Sequence, residues 1–360
     1  MIPIYNINLS RSSVKNVNKC LKTNWISSKG KFIIKFEKKF SKFLKVKNAC
    51  TVSNGTVALH LSLLALGIKE NDEVIVPVLT YVAPVNAIRY VGATPVFVDA
   101  DLNTWNIDVN KVEDSITSKT KAIIAVHLYG FSCEIYKLKK LCQKYNLYLI
   151  EDSAEAFGSI YKNRYLGSFG DVATFSFYGN KTLTTGEGGM VVASSDSIIK
   201  KVSHLKNQGM PEGKKYYHNV VGYNYRMTNI CAAIGCGELS VINKILKRKK
   251  IIANLYRSQL KIKNLKFQKE LKNSKSSHWL VSLLANTIAD KKRILMRLSK
   301  SHIETRPLFC PVYKLPMYSQ YSKKKFPIAD RIYSLGFSVP SYQNLTKKKI
   351  KYICKVIKSA

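Results

Sequence analysis

Short runs of β-branched and apolar residues alternate with stretches of helical periodicity in the first half of the chain, and no other property of the sequence narrows the choice of fold as much. Parallel strands need a crossover between them, because the chain must return to the same edge of the sheet before each new strand. Helices are indicated at residues 56–66 and 134–145. The predicted strands are residues 73–77, 95–99, 121–126, 147–152, 172–177 and 189–193. The pattern predicts a large α/β domain with a central, mostly parallel sheet.

The pattern changes after about residue 236. The elements predicted there are a Lys-rich helix at 239–260, a strand at 278–285, and helices at 290–299 and 346–358. They predict a smaller C-terminal α+β domain. A chain of 360 residues with 46% apolar residues is large enough for two domains. We therefore expect a large domain over residues 1–236 and a small one over residues 237–360.

The net charge of +37 allows two interpretations. A basic surface attracts nucleic acid, membranes and phosphorylated metabolites. The lysines are spread along the chain, however, in short runs typical of solvated faces, such as 247–250, 323–325 and 347–349. The chain is also rich in Asn and Ile, so a general compositional bias is the simpler explanation. No recognised nucleic-acid-binding motif is present, and a nucleic-acid partner is not expected.

Eight cysteines are scattered along the sequence without a Cys-x-x-Cys pair or partnering histidines. Such spacing is typical of reduced thiols, so neither a metal site nor a disulfide framework is expected. The sequence contains no run of about 18 uncharged apolar residues, and its first ten residues lack the apolar stretch of a signal peptide. We therefore expect a cytoplasmic protein without a membrane partner.

Small polar residues precede an apolar helix in the run Thr51-Val-Ser-Asn-Gly-Thr-Val-Ala-Leu59. Free N–H groups and the helix dipole at such a start suit an anion, and Gly55 lets the backbone approach a phosphate closely. The alternative is that Ser53 or Asn54 simply caps the helix.

An apolar strand ends in acidic residues in the run Leu149-Ile-Glu-Asp-Ser-Ala-Glu-Ala-Phe157. The ligand crevice of an open α/β sheet lies beyond the carboxyl ends of its strands, so Asp152 lies where a catalytic carboxylate is useful. The alternative is an acid that only caps a loop.

A third motif leads from a strand into a loop rich in Gly and Thr, Phe175-Ser-Phe-Tyr-Gly-Asn-Lys-Thr-Leu-Thr-Thr-Gly-Glu-Gly-Gly189. A Walker A interpretation fails, because Asn180 precedes Lys181 where that motif requires Gly. Lys181 is suited to forming a Schiff base with a cofactor aldehyde, although a single loop lysine is more often solvated.

Together the three motifs supply a phosphate cradle, a carboxylate for a pyridine nitrogen and an amine for an aldehyde, the groups that pyridoxal 5'-phosphate chemistry uses. Their order resembles that of fold type I enzymes, the aspartate aminotransferase-like fold of pyridoxal phosphate-dependent transferases. The runs 151–156, 170–177 and 180–189 look like the DegT/DnrJ/StrS family of sugar aminotransferases. Similar stretches occur at 25–30, 222–229, 304–307 and 316–318, so the resemblance spans nearly the whole chain.

The resemblance implies how the cofactor ring is held. Lys181 is expected to bond to the cofactor and to move protons, and Asp152 to pair with the pyridine nitrogen. Tyr81 is expected to stack on one face of the ring and Ala154 to lie against the other. Glu155, where many members have Gln, is expected near the ring hydroxyl.

The resemblance also implies phosphate and substrate contacts. The phosphate would be held by Gly55, Thr56 and Ser176, while Asn224 would reach the phosphate in a neighbouring subunit's site, which implies a homodimer with shared active sites. The candidates for substrate contacts are Trp25, Ser27, Arg306 and Tyr313. Arg306 and Tyr313 are candidates for a nucleotide or glutamate carboxylate, because a guanidinium pairs bidentately with phosphate or carboxylate.

The runs 104–106, 126–130, 179–181 and 223–227 resemble family members that transfer the amino group of glutamate to C4 of GDP-4-keto-6-deoxymannose, with pyridoxamine 5'-phosphate as the intermediate form of the cofactor. A UDP- or dTDP-linked keto-sugar and amination at C3 remain open. A related sugar 3-dehydratase has His in place of the lysine, so Lys181 argues against it. A non-catalytic nucleic-acid-binding protein on this scaffold is supported only by the charge of +37.

Overall fold

The computed structural model describes residues 1–261, 265–321 and 323–360. Its helices are α1 (Arg11–Lys22), α2 (Lys31–Leu44), α3 (Gly55–Ala65), α4 (Ala83–Tyr90), α5 (Ile135–Tyr145), α6 (Asp196–Lys206), α7 (Asn229–Ser240), α8 (Ile242–Gln259), α9 (Ile288–Lys300), α10 (Pro327–Leu335) and α11 (Lys347–Lys358). Its strands are β1 (Asn48–Val52), β2 (Glu73–Pro77), β3 (Thr94–Val98), β4 (Thr120–Val126), β5 (Tyr148–Asp152), β6 (Ile160–Tyr161), β7 (Arg164–Tyr165), β8 (Val172–Ser176), β9 (Gly189–Ala193), β10 (Leu265–Phe267), β11 (Ser274–Lys275), β12 (Val281–Ala285), β13 (Arg306–Pro307) and β14 (Gly336–Val339).

The main sheet has, within the described residues, seven strands in the order β1-β9-β8-β5-β4-β2-β3. The strands from β8 to β3 run parallel, whereas β9 and β1 pair antiparallel at one edge. The predicted α/β fold with a mostly parallel sheet is confirmed. Strands β2 and β9 have the predicted bounds, and the other four predicted strands lie within one residue of the prediction.

The edge strand β1 was not predicted from the sequence. Its residues Asn48 and Ala49 are only half-buried, and the five residues contain no alternation of apolar and polar side chains. Its pairing with β9 brings it into the sheet. Because this pairing joins segments far apart in the sequence, local periodicity carried no signal for it.

The Lys-rich helix predicted at 239–260 is confirmed as α8, although it begins at Ile242, three residues later than predicted. The preceding helix α7 was not predicted, and the two helices meet at Val241 with a bend of 65°. The hydroxyl of Ser240 donates to the carbonyl oxygen of Gly237, and such side-chain bonds compete with helix continuation. Within the described residues no single helix is both long and apolar enough to cross a bilayer, although the bent pair α7 and α8 together has the necessary length and composition.

A second sheet, β10-β12-β14-β13, has four antiparallel strands among the described residues. Side chains from α8, α9 and α11 share its apolar core, including Tyr256, Leu298 and Ile353. The N-terminal segment also reaches this part of the chain, because Ile2 pairs with Ile303 in a parallel bridge. The α+β composition agrees with the predicted fold class. The boundary at residue 236 stays a prediction, and that residue lies inside α7.

Phe40 of α2 is the centre of an aromatic cluster beneath β8. Its ring stacks on Phe157 at 5.1 Å and meets Phe175 at 5.0 Å and Phe177 at 5.5 Å, edge to face. All of these rings are buried. Edge-to-face pairs add to the stabilisation from burial, so this cluster fixes α2 against the strand that leads to Lys181.

Replacing Phe40 by Ala should lower the free energy of unfolding by about 3–5 kcal/mol, because a buried ring is lost and a cavity remains. Urea unfolding followed by circular dichroism measures the change. Ile34→Ala, on the exposed face of the same helix, is the matched control and should stay within about 0.5 kcal/mol of the parent. Equal losses in the two variants would contradict the importance of the cluster.

Candidate active site

A cleft of about 630 Å³ opens at the carboxyl edge of the parallel strands. Because parallel strands end at the same edge, the residues that end β5 and β8 lie in it together. The predicted site residues that line this cleft are Gly55, Thr56, Tyr81, Asp152, Ala154, Glu155, Ser176, Lys181 and Arg306. The structure thus brings together side chains from both halves of the chain.

The start of α3 forms one wall of the cleft. Asn54 caps this helix, since its side chain accepts a hydrogen bond of 3.0 Å from the N–H of Val57, as the alternative interpretation predicted. Gly55 approaches β8 so closely that a Cβ atom there would lie 2.8 Å from Cβ of Ser176. The first N–H groups of a helix have no intrahelical acceptor and carry a partial positive charge. This arrangement fits an anion beside Thr56 and Ser176.

Asp152 ends β5 and is buried in the cleft. Burial raises the pKa of its carboxyl group, and the N–H of Ala154, which donates to Oδ1 at 3.0 Å, acts in the opposite direction. The charge of Lys181 also favours the ionised form. The site therefore contains a carboxyl group held close to a neighbouring amine.

Glu151, the residue before Asp152, is fully buried, and its two carboxyl oxygens are bound by a side chain and by backbone N–H groups. His127 contacts it at 3.0 Å through Nε2, and the backbone N–H groups of Gly167, Phe169 and Gly170 donate to it at 2.6–2.8 Å. Nδ1 of His127 accepts from the N–H of Cys133, so the ring proton is on Nε2. Burial alone would raise the pKa of Glu151, but His127 and the backbone donors lower it overall. This structural role of Glu151 was not predicted from the sequence.

Lys181 brings an amine to the two carboxyl groups. Its side chain is 13% exposed, and Nζ lies 3.8 Å from Oε1 of Glu155. Burial lowers the pKa of Lys181, while Glu155 and Asp152 act to raise it. Burial also raises the pKa of Glu155, to about 7. Burial therefore disfavours the charged form of the amine and of both carboxyl groups.

Aromatic residues that sequence reasoning missed surround this amine. Trp279 lies with its ring centroid 3.9 Å from Nζ of Lys181, and Tyr129 donates its backbone N–H to Glu155 at 2.7 Å. Phe309 packs beside Tyr81 with ring centroids 5.5 Å apart. Tyr129 lies in the run 126–130 that carries part of the family resemblance. Trp279 lies in the strand predicted at 278–285 and Phe309 follows the run 304–307, but neither signal indicated that these side chains line the site.

The other predicted site residues lie outside the cleft of this chain. Trp25 is exposed, and the carbonyl oxygen of Ser27 accepts from the N–H of Asn229. Asn224 accepts two hydrogen bonds from the guanidinium of Arg226, at 3.1 and 2.9 Å. The hydroxyl of Tyr313 donates to Asp330 at 2.8 Å. The predicted roles of these residues stay predictions, and that of Asn224 requires a second subunit.

The sequence matches the DegT/DnrJ/EryC1/StrS aminotransferase family over residues 8–358. The chain belongs to this family. It is 49% identical to a GDP-perosamine synthase of Escherichia coli O157:H7, over 99% of this chain and 97% of the relative. It is 48% identical to a GDP-perosamine synthase of Vibrio cholerae, over 100% of this chain and 99% of the relative.

Among solved structures, the chain is similar to the putative sugar aminotransferase Spr1654 of Streptococcus pneumoniae in its PMP-form, with a TM-score of 0.94 and 26% identity over 100% of this chain and 98% of that one. The same protein has been solved in a PLP-form. The predicted fold type and aminotransferase class are confirmed by this membership, and the predicted cofactor is confirmed at the level of the family.

Four features of the cleft fit pyridoxal phosphate. The start of α3 offers N–H groups and a glycine where a phosphate must approach closely. Asp152 offers a buried acid, and Lys181 offers a buried amine of lowered pKa. Tyr81, which is 56% exposed, offers an aromatic surface in the cleft.

The cofactor-free protein should lose stability as the pH rises from about 4.5 to about 7, by up to about 3 kcal/mol from Glu155 alone. A carboxyl group with a raised pKa binds more protons in the folded than in the unfolded state across this window, so ionisation disfavours folding. Unfolding of wild type and Glu155→Gln at several pH values measures the difference.

Glu134→Gln, at a carboxyl group on the protein surface, is the matched control and should follow the wild-type profile. A Glu155→Gln profile parallel to wild type would show that Glu155 does not titrate in this range.

Proposed function

We propose that this chain transfers the amino group of glutamate to C4 of GDP-4-keto-6-deoxymannose and forms GDP-perosamine. The observation that carries the proposal is the meeting of Lys181, Asp152 and the start of α3 in one cleft. The choice of sugar nucleotide is supported by relatives named GDP-perosamine synthase, with 41–49% identity over 93–100% of this chain.

Different residues of the chain have different roles in such a reaction. Bound pyridoxal phosphate supplies an aldehyde and an electron-withdrawing ring. Asp152 holds a proton on the ring nitrogen, and the first N–H groups of α3 bind the phosphate. Lys181 carries protons on Nζ to and from the substrate carbon, a role that its lowered pKa favours. Trp279 and Phe309 restrict water around the reacting atoms.

Arg306 is our candidate for binding the carboxylate of glutamate. Its side chain lines the same cleft as Lys181, and its positive charge acts on Lys181 to lower the pKa of that amine. The guanidinium lies over the ring of Tyr5, 5.1 Å from the ring centroid. A planar guanidinium held in this way suits bidentate pairing with a carboxylate.

A homodimer with shared sites is part of the proposal. Asn224 does not line the cleft of its own chain. Its side chain binds Arg226 of the same chain instead. The nearby residues Tyr216 and Val221 are 93% and 87% exposed, respectively. Large apolar side chains at the surface are typical of a protein interface, and two-fold symmetry is the commonest arrangement for two copies. Asn224 would then complete the site of the partner.

A cytoplasmic location is also proposed. The eight cysteines are free, as in proteins of reducing compartments.

The net charge of +37 supports the attraction of a phosphorylated substrate as well as that of nucleic acid. Retention on duplex DNA that exceeds retention on heparin at the same salt concentration would favour the nucleic-acid alternative.

The proposed reaction is tested by incubating the protein with glutamate and a panel of GDP-, UDP- and dTDP-linked keto-sugars and weighing the products. We expect one amino-sugar product, GDP-perosamine, because of the similarity to GDP-perosamine synthases. A product only from a UDP- or dTDP-linked sugar would overturn the choice of nucleotide. Loss of the sugar hydroxyl at C3 without amination would favour the dehydratase.

Replacing Lys181 by Ala should abolish covalent retention of the cofactor and lower the rate by about 10²–10⁴-fold or more, since the proton-moving amine is lost. Borohydride reduction of the wild type followed by peptide mapping should place the label on Lys181. Lys139→Ala removes a lysine whose amine binds the carbonyl oxygen of Phe169, and it should keep both the label and the rate. A label on another lysine would refute the assignment.

A further inference from the structure

Trp279 lies just before β12, and its ring lines the cleft directly beside Lys181. The distance from Nζ of Lys181 to the ring centroid is 3.9 Å, which is within the range of a cation–π contact. The tryptophan is only 5% exposed. The amine thus contacts the π-system of an indole on one side and Oε1 of Glu155, at 3.8 Å, on another.

Three contacts fix the position of this indole. Its Nε1–H donates to the carbonyl oxygen of Asn180 at 2.9 Å, in the loop that carries Lys181. Its ring stacks on Tyr129, with centroids 6.2 Å apart and planes inclined by 12°. Its backbone carbonyl accepts from Nζ of Lys249 at 2.7 Å, and this buried lysine also donates to Ser341. Elements from both sheets therefore hold the ring where it meets the amine.

Glu155 is tied to the same group of residues. Its Oε2 accepts the backbone N–H of Tyr129, the residue on which Trp279 stacks. Tyr129 is itself fully buried and has a φ of 55°, an uncommon value for a residue with a side chain, so its position is fixed by its surroundings. The carboxyl group and the indole are consequently held at constant positions around Nζ.

An aminotransferase cycle alternately bonds and frees its lysine amine, and a free ammonium group in a buried site has lost most of its water. An aromatic face stabilises such a cation most when water is excluded. We infer that Trp279 and Glu155 form a docking site for the free amine of Lys181, with Trp279 as a positioning residue. This inference rests on the proposed function, because only such a cycle repeatedly frees the amine.

The docking site is tested in the cofactor-free protein by the reaction of Lys181 with trace acetylating reagent, measured by peptide mass spectrometry as a function of pH. In Trp279→Leu the pKa of Lys181 should fall and its labelling at a fixed pH should rise by about 2–30-fold, since the cation–π contact is lost. Trp279→Phe should show a smaller rise, because benzene is a weaker partner than indole. Lys291, bonded to carbonyl oxygens of Tyr333 and Ser334, is the internal reference.

Trp105→Leu is the matched control for lost packing. Trp105 is another buried indole that contacts Tyr129, with ring centroids 6.3 Å apart, and it is not among the residues that line the cleft. Labelling of Lys181 should be unchanged in this variant. An unchanged Lys181 in Trp279→Leu, or an equal rise in Trp105→Leu, would overturn the docking site.

A second measurement separates docking from a purely structural role. Lys181 leaves the docking site when it bonds to the aldehyde of pyridoxal phosphate, and it stays docked when pyridoxamine phosphate is bound. Loss of the docking site in Trp279→Leu should therefore weaken the binding of pyridoxamine phosphate relative to that of pyridoxal phosphate, by the same factor of about 2–30. Equal weakening of both would contradict the inference. The labelling needs no cofactor and no sugar, so it decides the docking site even if no tested sugar nucleotide is aminated.

Discussion

The proton balance between a buried amine and two buried carboxyl groups is the constraint on which the site depends. Burial disfavours the charged form of each group, since it lowers the pKa of Lys181 and raises those of Asp152 and Glu155. Their mutual attraction works in the opposite direction but is the smaller effect, so burial decides the direction of all three shifts. The pKa of Glu155 is raised to about 7. A lowered pKa suits an amine that moves protons, because proton transfer is most efficient when the pKa of the group approaches the working pH.

Two adjacent acids at the end of β5 have different tasks because side chains alternate across a strand. Asp152 faces the cleft, whereas Glu151 binds His127 and the backbone of residues 167–170. Several donors keep Glu151 ionised despite its burial, and the pKa of this group is lowered. The ionised acid fixes a loop to the strand, and the strand in turn fixes Asp152. The chemistry of one acid therefore depends on the structural bonds of the other.

Much of the main sheet was predictable because its parallel strands are short, apolar and separated by helices, and β2 and β9 were predicted with their bounds. The meeting of Asp152 and Lys181 was predictable for the same reason, since strand ends of a parallel sheet share an edge. The break at Val241 was missed, because a change of helix direction depends on which side chains must be buried on either side of it. Trp279 was missed because its partners, Lys181 and Tyr129, are remote in the sequence.

The elements around the second sheet complete the cleft, so the reaction depends on how they are held. Trp279 and Arg306 both come from this part of the chain. The segment before α1 contacts this part of the chain, since the N–H of Ile4 donates to Glu304 at 2.9 Å and the ring of Tyr5 packs against the guanidinium of Arg306.

The same segment also comes near the loop that carries Lys181, because a Cβ atom at Gly179 would lie 3.2 Å from Cδ1 of Ile7. Arg306 lies in β13, which pairs with β14 of the second sheet, and its guanidinium also contacts Tyr5 of the segment before α1. The position of the proposed carboxylate-binding group relative to the amine therefore depends on the second sheet and on this segment together.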